Sequence, residues 1–198
     1  MRLGKIVASD SHLQYRCQVY GPREVSDAPQ PDDYGLGNFV AVPVGDRRAL
    51  VGIISDTQLH NPEFGSFSPR LSSDEELEIF SPDYLAETRT LVSVAVIGYF
   101  DENGRPHQDA PPVAPPVNTD VQLMSDEQLR SFHQPGDEVC LSYLPFLIAA
   151  ARTSPVMMQA ILKALQHLQA VFADGPASLR LRLVRQNLSW QFRVAGMA

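Results

Sequence analysis

Apolar positions change their period part-way along the chain. Through residue 109 they fall in short, β-branched runs, and beyond residue 118 the chain opens with helical spacing before alternating again near its end. Residues 3–9 (LGKIVAS) and 13–20 (LQYRCQVY) flank the polar break Asp10-Ser11-His12 and predict a hairpin. Residues 38–44 (NFVAVPV) and 49–55 (ALVGIIS) predict a second one, turning at Gly45-Asp46-Arg47-Arg48. Residues 91–100 (LVSVAVIGYF) carry the strongest strand pattern, closed by the turn Asp101-Glu102-Asn103-Gly104. Residues 26–37 and 58–70 read as loops, and Ser72-Ser73-Asp74-Glu75-Glu76 reads as the acidic, capped first turn of a short helix or turn. Short strands with glycine-bearing turns and no long helix between them predict a small closed barrel over residues 1–109, because closure removes the exposed edges of an open sheet.

Residues 110–118 (APPVAPPVN) form a proline-rich linker, read as a stiff, polyproline-like spacer. Residues 119–198 then form a small α+β module. Ser125-Asp126-Glu127 opens a helix over residues 128–133, and Ser154 as N-cap with Pro155 at the first helical position opens a longer one. Val156, Ile161, Leu162, Leu165, Leu168 and Phe172 keep helical spacing along it, and Asp174-Gly175-Pro176 ends it. Leu179, Leu181 and Leu183 alternate with Arg180 and Arg182, and Leu188, Trp190, Phe192 and Val194 alternate with Ser189, Gln191 and Arg193. That alternation predicts a C-terminal β-hairpin turning at Gln186-Asn187. The expected fold class is therefore a closed N-terminal β-barrel followed by a helical segment and a hairpin.

Composition narrows the function. At 44% apolar and 20% charged residues the chain has the make-up of a folded domain, and its net charge of −7 argues against nucleic-acid binding over the whole surface. The charge is uneven, however. No acidic residue follows Asp174, so Arg180, Arg182, Arg185 and Arg193 stand alone as candidate contacts for an anionic partner. Cys17 and Cys140 are far apart and outside any metal-ligand spacing, which argues for a reduced, cytoplasmic setting without zinc or disulfides. Neither the start of the chain nor the apolar run 141–151, broken by Pro145, reads as a signal peptide or a spanning helix.

Several chemical-looking groups have plainer readings. Asp10, Ser11 and His12 are three catalytic residue types in a row, but strand neighbours point to opposite faces, so a polar turn is the better reading. His107 lacks a second ligand at metal spacing, and His167 falls on the polar side of its helix. Asp74, Glu75, Glu76 and Glu78 read as a solvated acidic face that doubles as a docking surface. Met157, Met158, Ile161 and Leu165 read as core against the terminal hairpin. No cofactor or metal site emerges, and no catalytic residue is nominated.

Three runs carry a resemblance: Gly4-Lys5-Ile6-Val7 opening a strand, Gly37-Asn38-Phe39-Val40-Ala41-Val42, and Leu50-Val51-Gly52-Ile53-Ile54. Their order resembles the HerA/ATP-synthase barrel, and residues 121–129 after the prolines are similar to the junction that leads from that barrel into an ATPase domain. The resemblance implies a six-stranded barrel that acts as an assembly collar, with a ring ATPase or other copies of itself as partner. The nucleotide-binding half of the pattern is missing. The only Gly-Lys pair is Gly4-Lys5, inside the first strand and followed by Ile6, so no loop is present to wrap phosphates. The sequence therefore points to a non-catalytic docking protein, with a nucleic-acid accessory role through the arginines as the alternative and an enzyme third.

Overall fold

The computed structural model describes residues 1–61, 89–136, 138–173 and 176–195. The acidic run Asp74, Glu75, Glu76 and Glu78 lies outside the described residues, as does its expected helix start. Among the described residues, seven strands and four helices follow in order: β1 (Arg2–Ser11), β2 (Gln14–Val19), β3 (Phe39–Val44), β4 (Arg48–His60), β5 (Arg89–Phe100), β6 (Pro106–His107), β7 (Asp120–Leu123), α1 (Asp126–His133), α2 (Leu144–Ala151), α3 (Pro155–Val171) and α4 (Pro176–Ala195).

The first six partners form a closed, antiparallel barrel. Strand order runs β2-β1-β7-β3-β4-β5, and β5 pairs back onto β2 to close the ring, while β6 extends the outside of β5. Both expected hairpins are present. β4 runs further than its apolar pattern, since Gln58, Leu59 and His60 pair with Leu91, Thr90 and Arg89, so the expected loop begins as strand.

Alternation along the strands sorts side chains between two cores. Leu3, Ile6, Cys17, Val40, Val42, Leu50, Ile54, Val92, Val94, Val96 and Val121 fill the barrel interior. The residues between them, Phe39, Ala41, Val51, Ile53, Ala95 and Ile97, face outward and meet the helices in a second core. β3, β4 and β5 are apolar on both faces because one face fills the barrel and the other seats the helices. Gly37 makes the seat possible. It lies at φ +85°, and a Cβ there would come within 2.6 Å of Lys163 Cβ and 2.7 Å of the Ala164 nitrogen on α3.

The proline-rich segment is laid along the barrel instead of spanning a gap. Pro111 and Pro115 are buried. His12 Nε2 donates to the Pro111 carbonyl at 2.8 Å, and the Asn118 nitrogen donates to the Ile6 carbonyl at 2.8 Å. β7, from the residues that composition places in the second module, then slots between β1 and β3, with Lys5 opposite Asp120 and Val40 opposite Leu123. Tyr20 Oη donates to Asp120 at 2.7 Å beside this seam. The barrel thus crosses the boundary expected at residue 109.

The helices follow their caps. Ser125 Oγ accepts from the Gln128 nitrogen while Gln128 Oε1 accepts from the Ser125 nitrogen, a reciprocal pair that opens α1. Ser154 Oγ accepts from the Met157 nitrogen and Pro155 takes the first position of α3, as expected. α2 was masked in the sequence by Pro145, which sits in the first turn of that helix, where a missing N–H costs nothing. The largest correction is α4. The expected C-terminal hairpin over Leu179 to Val194 is one helix. Leucine, arginine, glutamine and alanine are strong helix formers, and Leu181, Val184, Leu188 and Phe192 make a helical stripe that packs on α3. Gln186 and Asn187 lie mid-helix.

Candidate functional site

α4 carries all four arginines named from the sequence, and the helix disperses them. At 3.6 residues per turn, Arg182 and Arg193 lie nearly above one another three turns apart, Arg185 leans toward the packed side, and Arg180 lies roughly opposite Arg182. The common strand face expected for Arg180 and Arg182 does not form. Arg180 Nη1 pairs with Glu138 at 2.8 Å. Arg185 Nε is buried at the edge of the helical core and has no hydrogen-bond partner among the described residues. Arg193 Nε donates to the Ser189 carbonyl of its own helix at 3.3 Å, and Arg182 is exposed.

Beside Arg182 and Arg193 runs a stripe that strand alternation hid. Leu179, Leu183 and Trp190 are 51%, 56% and 61% exposed, and spacings of four and seven residues place them along one side of the helix, with exposed Gln186 between. Leu181 and Leu188 on the other side are buried. A period-2 reading puts Leu179, Leu181 and Leu183 on one face, whereas the helix sends Leu181 inward and the other two out. Spacing of i, i+4, i+7 and i+11 was the signal available.

A second place with polar character is a cavity of about 310 Å³ at one end of the barrel. Asp10, Gln14, Arg16, Ser55, Asp56, Gln58 and Ser93 line it from the strands, Thr153 and Ser154 from the turn between α2 and α3, and Met157 from the first turn of α3. The ladder is irregular here, between Ser9 and Ser11 on β1 and between Ile54 and Asp56 on β4. Its groups are largely spent on each other. Arg16 Nε donates to Asp10 at 3.1 Å and Arg16 Nη1 to Gln58 Oε1 at 3.1 Å, while Ser55 Oγ donates to the Ser93 carbonyl at 3.2 Å. No histidine lines the cavity among the described residues, so Ser55 has no imidazole base beside it.

The one buried histidine is a core group. His133 Nδ1 faces the Leu129 carbonyl at 2.9 Å, which can only accept, so Nε2 is left to accept from the Tyr143 hydroxyl at 2.9 Å. Burial among Phe39, Phe132 and Tyr143 brings its pKa down to about 4, against an opposite pull from the Leu129 hydrogen bond. Burial likewise pushes the Tyr143 phenol well above its usual range. Gln108 locks the adjoining loop by donating to the Phe132 and Cys140 carbonyls and accepting from the Ser142 nitrogen at 2.7 Å.

The other groups weighed in the sequence part company. Asp10 turns to Arg16, Ser11 Oγ accepts from the Leu13 nitrogen, and His12 goes to Pro111. His107 stacks on Tyr99 at 4.8 Å and contacts Asp101 at 3.3 Å. His167 is half-buried and packs edge-to-face with Phe39, ring centroids 5.8 Å apart, so it is not fully solvated. Cys17 is buried in the barrel, where its thiol is pushed up to about 12, far from Cys140 on the helical side. No group of three metal-ligating side chains gathers among the described residues. No helix among them is long and apolar enough to cross a membrane.

A family described as "Domain of unknown function (DUF8166)" matches residues 1–198. The chain belongs to that family. The DUF8166 match runs through the barrel, the prolines and the helices alike. A search of curated proteins finds no match.

Proposed function

We propose that this DUF8166 protein is a non-catalytic docking protein, in which barrel and helices form a rigid support for the outer face of α4. The exposed stripe of Leu179, Leu183 and Trp190 carries this reading. Folding alone does not require three large apolar side chains on one wet face, and such patches mark interaction surfaces. The resemblance to the HerA/ATP-synthase barrel supports an assembly role, with a ring ATPase as the class of partner it suggests. A closed barrel has few free edges to offer, which moves the docking surface from the sheet to the helix.

Nucleic acid is the second reading, and one observation favours it: the helix sets Trp190 one turn from Arg193, an aromatic beside a cation. Affinity capture from the native source, with a nuclease control and a salt series, separates the two. The docking reading expects a defined protein that survives nuclease with the wild-type chain and disappears with Leu183→Glu. Material lost on nuclease treatment, or capture indifferent to Leu183→Glu, would overturn it.

A further inference from the structure

We propose that the outer face of α4 receives an acidic, amphipathic helix from a partner protein. This rests on the docking reading and names what docks.

The shape of the stripe sets the shape of the partner. From Leu179 to Trp190 it covers three turns, about 16 Å at 1.5 Å per residue, and positions 179, 183, 186 and 190 repeat with the alternating spacing of a two-helix seam. A straight helix laid alongside meets all four positions, whereas a strand or a compact loop meets only part of the row. Gln186, the single polar position in the seam, gives one place where register is fixed by a hydrogen bond and not by leucine packing.

Charge sets the partner's chemistry. α4 holds four arginines and no acid, so a chain of net charge −7 carries +4 on this helix and −11 elsewhere. Arg182 follows Leu179 by three residues and Arg193 follows Trp190 by three, which puts both guanidinium groups along one border of the stripe. Borders of a helix pair are where opposite charges select the partner. A second copy of α4 would bring arginine to arginine across the seam. An anionic bilayer would attract α4 but repel the −11 of the remainder. Nucleic acid would find one stacking ring and two exposed leucines that offer it nothing. Acidic residues flanking a leucine seam satisfy every position.

The test places a photo-crosslinking p-benzoylphenylalanine at position 183 of the full chain, with the same residue at exposed Asp46 on the β3–β4 turn as control. Both sites are exposed, so both variants are expected to fold, which circular dichroism checks before irradiation. After irradiation in native extract, the expected adduct is a protein segment that is acidic, apolar at every third or fourth residue, and at least tenfold depleted when Arg182→Glu and Arg193→Glu are combined. That segment, made as a peptide, is expected to blue-shift the emission of Trp190, the only tryptophan, in a salt-sensitive titration. A protein adduct on a basic or non-helical segment would overturn the acidic-helix inference and leave the docking reading standing. Adducts to lipid, to nucleic acid or to the chain itself would also overturn the inference. Labelling no stronger than at the Asp46 control would overturn both.

Discussion

The two long sides of α4 are made of the same material and live in different solvents. Leu181, Leu188 and Phe192 turn toward α3 and lie in the helical core, while Leu179, Leu183 and Trp190 turn to water. Composition hardly separates them, because each side has two leucines and an aromatic and the inner one adds Val184. What separates them is the angle each makes with the barrel. The inner side has partners in this chain, and the outer side is apolar without one among the described residues.

The comparison can be broken at its buried end first. Leu168 lies fully buried in the helical core, and Leu168→Ala is expected to cost about 3 kcal/mol in denaturant unfolding, the usual loss for a leucine that leaves a cavity. A loss below about 1 kcal/mol would mean that the helical core is loose and that the contrast between the sides is false.

Acid attacks the same core by another route. His133 has a folded pKa of about 4 against about 6.5 in an unfolded chain. Between those values the unfolded chain takes up a proton that the folded one refuses, so stability is highest above pH 6.5 and falls as pH drops toward 4. The full loss is at most about 3 kcal/mol, and it levels off below pH 4. Thermal unfolding across this window should show the slope, and His133→Phe should remove most of it. An unchanged slope in that variant would place the acid sensitivity elsewhere.

Gly37→Ala tests the seat of α3 on the barrel. The added methyl meets helix backbone, and the backbone is left-handed there, so a loss of about 2 kcal/mol or more is expected. Unfolding midpoints measured with Gly45→Ala as companion sharpen the point. Gly45 is also left-handed, at φ +67°, but nothing stands within 4 Å of its missing Cβ, so its loss should be the smaller of the two.

The outer side should give the smallest effect on folding. Leu183→Gln is expected to move stability by less than about 0.5 kcal/mol, since its side chain is already more than half in water. A cost near that of Leu168→Ala would show that this side is packed after all.

The barrel was largely legible because its strands are long, apolar and separated by plain turns. Its closure was less so, since β7 is four residues with only two of them apolar, Val121 and Leu123, and only its neighbours β1 and β3 make it a strand. Caps at Ser125 and Ser154 announced α1 and α3, whereas Pro145 hid α2 by standing at the one end of a helix that tolerates it. In α4 the leucine–arginine alternation fits period 2 over residues 179–183 and period 3.6 over the full length, and the longer pattern wins because it supplies a packed stripe. The candidate site was found by segment and missed by residue. Charge drew attention to the arginines, but their placement, and the apolar row beside them, follow only from the helix.

Barrel closure joins the beginning of the chain to its middle. Lys5 pairs with Asp120 and Gly4 with Val121, so β1 waits for partners that are more than a hundred residues away in sequence. During synthesis the first two hairpins are free to form early, but the ring stays open along one seam until the prolines and β7 have emerged. In that interval β1 and β3 present bare edges, which are templates for pairing with another chain. Such long-range closure is slow on topological grounds. The proline-rich segment, held by Ile6 and His12, then acts as a latch that carries the last strand to its slot.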